Sequence, residues 1–194
     1  MEKKEFKILV AEDDSLVREA VRQLLAREGY DVRVAADGPE ALKTLAMHEL
    51  DLVVTDLKMP GATGLDVLRQ VRRMTPDTAV IIMTAYGTLE TALEAMRQGA
   101  FDYLTKPFQI EQMTLAVEKA YRRAQLLEEN RELRRYLRDA YRDAETLKAL
   151  GSSRDAAGVE NRIERGERLR ALKVVGNGER EGLRQRRAGD NGKS

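Results

Sequence analysis

The chain has 194 residues, 42% of them hydrophobic, which is enough for one buried domain and a sizeable tail. It has no cysteine and only one histidine, which excludes disulfides and metal sites built from thiolates or several histidines. It has no long apolar run and no signal peptide, so that we expect no membrane span and a cytoplasmic protein. The net charge of +1 combines an acidic part, with 14 basic and 18 acidic residues up to residue 110, and a basic part with 20 and 15 thereafter.

Up to about residue 110, short apolar runs rich in β-branched residues alternate with amphipathic helical patterns. The runs predict five strands, at residues 6–11, 31–35, 51–55, 78–83 and 101–104. The intervening patterns predict helices at about residues 15–28, 38–47 and 64–74. This alternation predicts a doubly wound α/β fold, in which a five-stranded parallel sheet has helices on both faces.

Polar residues follow the predicted strands at their carboxyl ends, the edge where parallel sheets bind ligands. They are Glu12, Asp13 and Asp14 after the first strand, Asp56 after the third, Thr84 after the fourth and Lys106 after the fifth. For Asp14 or Ser15 we expect no more than an N-cap of the next helix. Capping does not explain Asp56, because the turn at Met59-Pro60-Gly61 separates it from the helix that follows.

This set of side chains predicts phosphoryl chemistry with a divalent cation. Asp13 and Asp56, on adjacent strands, repel each other unless a cation lies between them, and oxygen-only ligands favour Mg²⁺. With the cation bound, Asp56 is a competent nucleophile toward a phosphoryl group. Lys106 offers a positive charge to the phosphoryl oxygens, and Thr84 offers a hydrogen bond.

Four segments resemble the signature segments of the two-component receiver family. They are Val10-Ala-Glu-Asp-Asp14, Asp56-Leu-Lys-Met-Pro-Gly61, Met83-Thr-Ala-Tyr-Gly87 and Asp102-Tyr-Leu-Thr-Lys-Pro-Phe108, in the family's order and spacing. The resemblance covers residues 4–122. It implies a flavodoxin-like receiver domain, which is a phospho-acceptor signalling domain and not an enzyme.

The resemblance also implies a donor and a metal site. The donor is a sensor histidine kinase, which phosphorylates Asp56. Mg²⁺ is bound by Asp13, Asp56 and the main-chain carbonyl of Lys58. Glu12 takes a position where the family often has aspartate, and its longer side chain is expected to contact the ion only through water.

A conformational switch is implied as well. Tyr103 matches an aromatic residue that changes its burial when the hydroxyl group of Thr84 engages the phosphoryl group. The Lys106-Pro107 peptide bond is cis in the family. A buried tyrosine with a wet tip, without any switching role, is the alternative for Tyr103.

The segment from residue 111 to residue 150 has no proline or glycine, which predicts one continuous helix. Residues 123–150 of it show a heptad pattern. The seam residues are Leu126, Leu133, Ala140 and Leu147 at one position and Asn130, Leu137 and Ala144 at the other. We expect a weak coiled coil and a homodimer, with a solvent-exposed single helix as the alternative.

Three features resemble the nitrogen-regulator class, which activates sigma-54 RNA polymerase: the segment Thr84 to Ala92, the segment Gly99-Ala-Phe-Asp-Tyr103, and the long linker that ends in Leu150-Gly-Ser-Ser153. In that class an AAA+ ATPase domain and a DNA-binding domain follow, and this chain has neither. Residues 151–194 contain eight of the 14 glycines, with eleven basic and seven acidic residues. We expect a disordered basic tail, and hypothesise a truncated or frame-shifted gene.

Three functions remain open on the sequence. The first is a phosphorylation-controlled regulator, either of transcription or, as a stand-alone receiver, of a protein partner. The second is a nonspecific nucleic-acid binder that uses the basic tail. The third is a Mg²⁺-dependent phosphatase, which is disfavoured because its nucleophile would lie near the first strand and not the third.

Overall fold

The computed structural model describes residues 1–85 and 87–150, with side chains in the last helix to residue 143. The strands are β1 (Lys7–Ala11), β2 (Asp31–Ala35), β3 (Leu52–Asp56), β4 (Ala79–Thr84) and β5 (Asp102–Thr105). The helices are α1 (Ser15–Arg27), α2 (Gly38–Met47), α3 (Gly64–Met74), α4 (Leu89–Arg97) and α5 (Ile110–Leu150). All strand pairs are parallel, in the order β2-β1-β3-β4-β5. The predicted fold class is confirmed.

The core lies on both faces of the sheet, as a doubly wound fold requires. β3 and β4 are buried along their whole length, because helices cover both faces of these central strands. On one face, α2, α3 and α4 pack on Leu9, Val53, Val80 and Ile82. On the other, α1 and α5 pack on side chains that alternate with these, namely Ile8, Val10, Leu52, Val54, Ile81 and Met83.

The register of the strands places the polar residues that end or follow them at one edge of the sheet. Ala11 pairs with Thr55, so that Glu12 comes level with the end of β3. Asp56 pairs with Met83, and Thr84 pairs with Thr105. The carboxyl ends of β1, β3, β4 and β5 therefore meet at the predicted edge.

Helix α4 has no counterpart among the helices predicted from the sequence. A capping box of Thr88 and Thr91 begins it, and Ala95 is its only fully buried residue. Leu89 is 76% exposed and Leu93 is 47% exposed. A helix with so narrow a buried face leaves a weak periodic signal in the sequence.

The predicted continuous C-terminal helix is confirmed as α5. Residues Met1–Glu132 form one compact unit, and a second unit begins at Leu133, where the described part is the distal length of α5. The division into residues 4–122, 123–150 and 151–194 stays a prediction, and the predicted disordered tail lies outside the described residues. Within the described residues, no helix is long and apolar enough to cross a membrane.

Candidate functional site

The carboxylate of Asp56 lies at the end of β3 with 8% of its side chain exposed. The main-chain N–H of Lys58 donates a hydrogen bond to Oδ2 at 2.7 Å, and the ammonium of Lys106 donates to Oδ1 at 2.8 Å. Each carboxylate oxygen therefore has a donor with the charge or polarity that stabilises its anionic form. The chain direction after Asp56 depends on Gly64, because a Cβ atom there would lie 2.3 Å from the Asp56 carbonyl oxygen.

Lys106 joins two acidic residues. Its Nζ lies 2.5 Å from Oε2 of Glu12 and 2.8 Å from Oδ1 of Asp56. Burial acts to lower the pKa of Lys106, but the hydrogen bonds to Asp56 and Glu12 outweigh it, and the net shift is upward. The lysine is therefore held as a cation between the carboxylates.

Glu12 is the most deeply buried acidic side chain at this edge, with 2% of it exposed. Burial raises its pKa, and the hydrogen bond and charge of Lys106 offset that rise only in part. The sequence analysis assigned Glu12 to a water-mediated metal contact and did not foresee its ion pair with Lys106. The sequence offers one signal for it: Glu12 directly follows the apolar run Ile8-Leu-Val-Ala11, whereas Asp13 lies one residue further on.

Asp13 and Asp14 differ in what they do. The carboxylate of Asp14 accepts hydrogen bonds from the N–H groups of Leu16 and Val17, which confirms the predicted N-cap of α1. Asp13 is exposed, and its carboxylate has no hydrogen bond or ion pair within the described part of the chain. A guanidinium contact that the sequence did not predict holds the loop: Arg18 donates to the carbonyl oxygens of Glu12 at 2.6 Å and of Asp13 at 3.2 Å.

The charge balance of this edge fits a divalent cation. Glu12, Asp13 and Asp56 supply three carboxylates against two cations, the ammonium of Lys106 and the guanidinium of Arg18, and the acidic ligands offer only oxygen. No group of three or more Asp, Glu, His or Cys side chains in the described ranges has the arrangement of a complete metal site. A magnesium site with two carboxylates needs no such group, because water and phosphate oxygens complete its shell.

Thr84 ends β4 beside Asp56 and is fully buried. Its carbonyl oxygen accepts a hydrogen bond from the N–H of Lys106 at 2.8 Å. The main-chain contact ties the end of β4 to the residue that carries the ammonium. The structure thus brings Thr84, Asp56 and Lys106 to neighbouring strand ends, as the sequence predicted.

Tyr103 lies on β5 and is half-buried against the core under α4. Its hydroxyl group is 2.9 Å from Oγ1 of Thr91, a partner that the sequence analysis did not identify. A Cβ atom at Gly87 would lie 3.4 Å from the same hydroxyl group and 2.6 Å from the Thr105 side chain. The tyrosine is therefore connected to the first turn of α4 and to the loop that follows Thr84. The Lys106-Pro107 bond is cis, as predicted.

The comparisons with known proteins agree with this geometry. The profile of the response regulator receiver domain family matches residues 8–118. The DNA-binding transcriptional regulator NtrC of Azospirillum brasilense is 40% identical over 113 residues, which are 58% of this chain and 24% of that protein. The chain thus spans about a quarter of the length of such curated relatives.

Solved structures show the same fold. A response regulator receiver domain protein from Clostridium thermocellum has a TM-score of 0.59 and 40% identity, and the match covers 63% of this chain and 98% of that one. The beryllofluoride-activated NtrC4 receiver domain dimer has a TM-score of 0.58 and 29% identity, with 61% and 98% covered. The chain therefore belongs to the family of response regulator receiver domains, the phospho-acceptor domains of two-component signalling systems.

Proposed function

We propose that Asp56 accepts a phosphoryl group from a phosphohistidine of a sensor histidine kinase. The observation that carries this proposal is the Asp56 carboxylate itself, which is nearly buried at the sheet edge between the ammonium of Lys106 and the N–H of Lys58. An aspartate whose only role was to form an ion pair with Lys106 would not require further carboxylates around it. It would also not require a position at the edge of the sheet where ligands bind.

The transfer uses the residues of this edge in distinct roles. A carboxylate oxygen of Asp56 attacks phosphorus, the bond from phosphorus to the histidine nitrogen breaks, and the imidazole leaves with that electron pair. Asp13, Asp56 and the main-chain carbonyl of Lys58 would hold Mg²⁺, with Glu12 in contact at most through water, and the ion would offset the negative charge on the phosphoryl oxygens. Lys106 exchanges its contact with Asp56 for a contact with a phosphoryl oxygen and keeps its pair with Glu12.

The switch connects the phosphoryl group to α4. Thr84 donates its hydroxyl hydrogen to a phosphoryl oxygen and moves toward Asp56, which leaves space beside β4. Tyr103 then turns inward and gives up its hydrogen bond to Thr91. The first turn of α4, which contains Thr91 as the partner of the N-cap Thr88, changes its position and carries the signal to the surface.

The test is intact-mass spectrometry after incubation with Mg²⁺ and phosphoramidate, a donor with a phosphorus–nitrogen bond. Wild type should gain one phosphoryl group, and Asp56→Asn should gain none. Asp37→Asn is the matched control, because Asp37 only caps α2, and it should be phosphorylated like wild type. Equal phosphorylation of Asp56→Asn would refute the proposal.

We further propose that the output of this domain is linked to transcription. The support is that the matched relatives are named as DNA-binding transcriptional regulators. Transcript profiles of strains that carry wild type or Asp56→Ala should then differ under the inducing stimulus. Unchanged transcripts together with altered activity of a bound protein would favour a stand-alone receiver that acts on a partner.

A further inference from the structure

The side chain of Arg18 folds back from α1 over the loop that joins β1 to α1. Its Nη1 atom donates hydrogen bonds to two consecutive carbonyl oxygens, that of Glu12 at 2.6 Å and that of Asp13 at 3.2 Å. Arg18 is half-buried, and a charged donor makes stronger hydrogen bonds than a neutral one. The guanidinium therefore fixes two successive peptide units of this loop relative to α1.

Asp13 lies between these two peptide units. The carbonyl of Glu12 belongs to the peptide before the Cα atom of Asp13, and the carbonyl of Asp13 belongs to the peptide after it. The neighbouring carboxylates have partners of their own, because Glu12 pairs with Lys106 and Asp14 caps α1. The exposed carboxylate of Asp13 has none within the described part of the chain, so its direction depends on the main chain that Arg18 holds.

The charge of Arg18 and the geometry that it imposes act on a bound cation in opposite directions. A guanidinium at an edge that binds Mg²⁺ repels the ion, so its charge alone lowers the affinity. A fixed loop raises the affinity, because a ligand that is already oriented loses less conformational freedom when it binds. Removal of the guanidinium therefore strengthens Mg²⁺ binding if charge dominates, and weakens it if geometry dominates.

The contacts of Arg18 favour geometry. A residue placed to neutralise the acidic edge would pair with a carboxylate, as Lys106 does with Glu12 and Asp56. Arg18 instead donates to main-chain carbonyl oxygens, and it makes no ion pair with any carboxylate of the residues that the structure describes. Its position thus serves the shape of the loop more than the charge balance of the edge.

We propose that Arg18 is a positioning residue of the magnesium site: by holding the peptide units on both sides of Asp13, it directs the Asp13 carboxylate toward the ion. Contacts that orient a metal ligand from outside are worth about tenfold to a hundredfold in metal affinity. This role rests on the magnesium site proposed above, and Arg18 itself contacts neither the ion nor the phosphoryl group.

A Mg²⁺ titration of the full, unphosphorylated chain tests this role, with the backbone amide chemical shifts of residues 12–14 and 56–58 as the readout. Arg18→Met keeps an unbranched side chain without the guanidinium, and its dissociation constant for Mg²⁺ should be about tenfold higher than that of wild type. Arg18→Lys keeps a charged donor and should recover most of the affinity. Arg22→Met is the matched control, because Arg22 lies one turn further along α1 and pairs with Glu19 at the surface, and it should bind Mg²⁺ like wild type.

A double-mutant cycle with Asp13→Ala determines whether Arg18 acts through Asp13. In the Asp13→Ala chain, Arg18→Met should not weaken Mg²⁺ binding further, because no carboxylate remains there to be directed. A second loss of about tenfold in that chain would overturn the proposal, since Arg18 would then act on another ligand.

The remaining outcomes separate this role from the proposed function. Tighter Mg²⁺ binding by Arg18→Met would mean that charge dominates, and a lower urea midpoint with unchanged Mg²⁺ affinity would make Arg18 a contact for stability alone. Either result refutes the positioning role, while Mg²⁺ binding by wild type and phosphorylation of Asp56 would leave the proposed function intact. A wild type that binds no Mg²⁺ would overturn both the metal site and the role of Arg18.

Discussion

Replacement of Lys106 by methionine removes the only cation described between two nearly buried carboxylates. The side chains of Glu12 and Asp56 are 2% and 8% exposed, and that of Lys106 is 17% exposed. Removal of one partner from a buried pair costs about 3–5 kcal/mol. Because water reaches part of Lys106, we expect Lys106→Met to lower the free energy of unfolding at pH 7 by about 2–4 kcal/mol. In urea this corresponds to a midpoint lower by about 1–2 M.

The physical reason is tested by a double-mutant cycle with Glu12→Gln. Without the charge of Glu12, Lys106→Met should cost less, and the interaction free energy between the two substitutions should be about 1–3 kcal/mol. Mg²⁺ should reduce the loss in Lys106→Met, since it supplies the missing positive charge. Lys4→Met, which breaks only the exposed pair with Glu2, should cause no measurable change. An equal loss with and without the Glu12 charge would refute the reasoning.

Three further substitutions test other parts of the structure. Gly64→Ala should lower the free energy of unfolding by about 1–3 kcal/mol, because the new methyl group overlaps the Asp56 carbonyl; urea denaturation measures this loss, and an unchanged midpoint would contradict the contact. Asp77→Asn removes the 2.5 Å ion pair to Arg131. Hydrogen exchange near residue 131 should then accelerate, while global stability changes by less than about 1 kcal/mol. Burial raises the pKa of Asp51 above its ordinary value of 3.8. Its contribution to the free energy of unfolding is therefore fully present below pH 3.8 and is lost as the pH rises through the pKa that Asp51 has in the folded state. Asp51→Asn should remove this part of the pH dependence of stability.

The sheet and its polar edge were predictable because their signals are local. β-Branched runs identify β1, β3 and β4, and parallel strands necessarily collect the residues that follow them at one edge. The sequence alone was therefore enough to predict that Asp56, Thr84 and Lys106 lie at the same edge. The strand boundaries were less predictable. Asp56 and Thr84 were expected to follow the third and fourth strands, but they are the last residues of β3 and β4.

The contacts within the site were harder to predict because they depend on side-chain direction and tertiary distance. Glu12 and Asp13 are adjacent acidic residues, yet Glu12 is buried in an ion pair with Lys106 and Asp13 is exposed. The contact of Tyr103 with Thr91 joins β5 to α4, a helix with too little buried surface to leave a clear periodic pattern. The roles in phosphorylation, metal binding and switching stay predictions for all the site residues: Glu12, Asp13, Asp56, Lys58, Thr84, Tyr103 and Lys106.

The central claim is that the phosphoryl group is carried by Asp56 and by no other carboxylate of the edge. Borohydride reduces an acyl phosphate to an alcohol, so the treated aspartate becomes homoserine and can be located by tandem mass spectrometry of peptides. After phosphorylation with Mg²⁺ and phosphoramidate, homoserine should appear at position 56, and its yield should fall to zero when Mg²⁺ is chelated. Reduction at Glu12 or Asp13 with position 56 unchanged, or no reduced residue in a phosphorylated sample, would contradict the account.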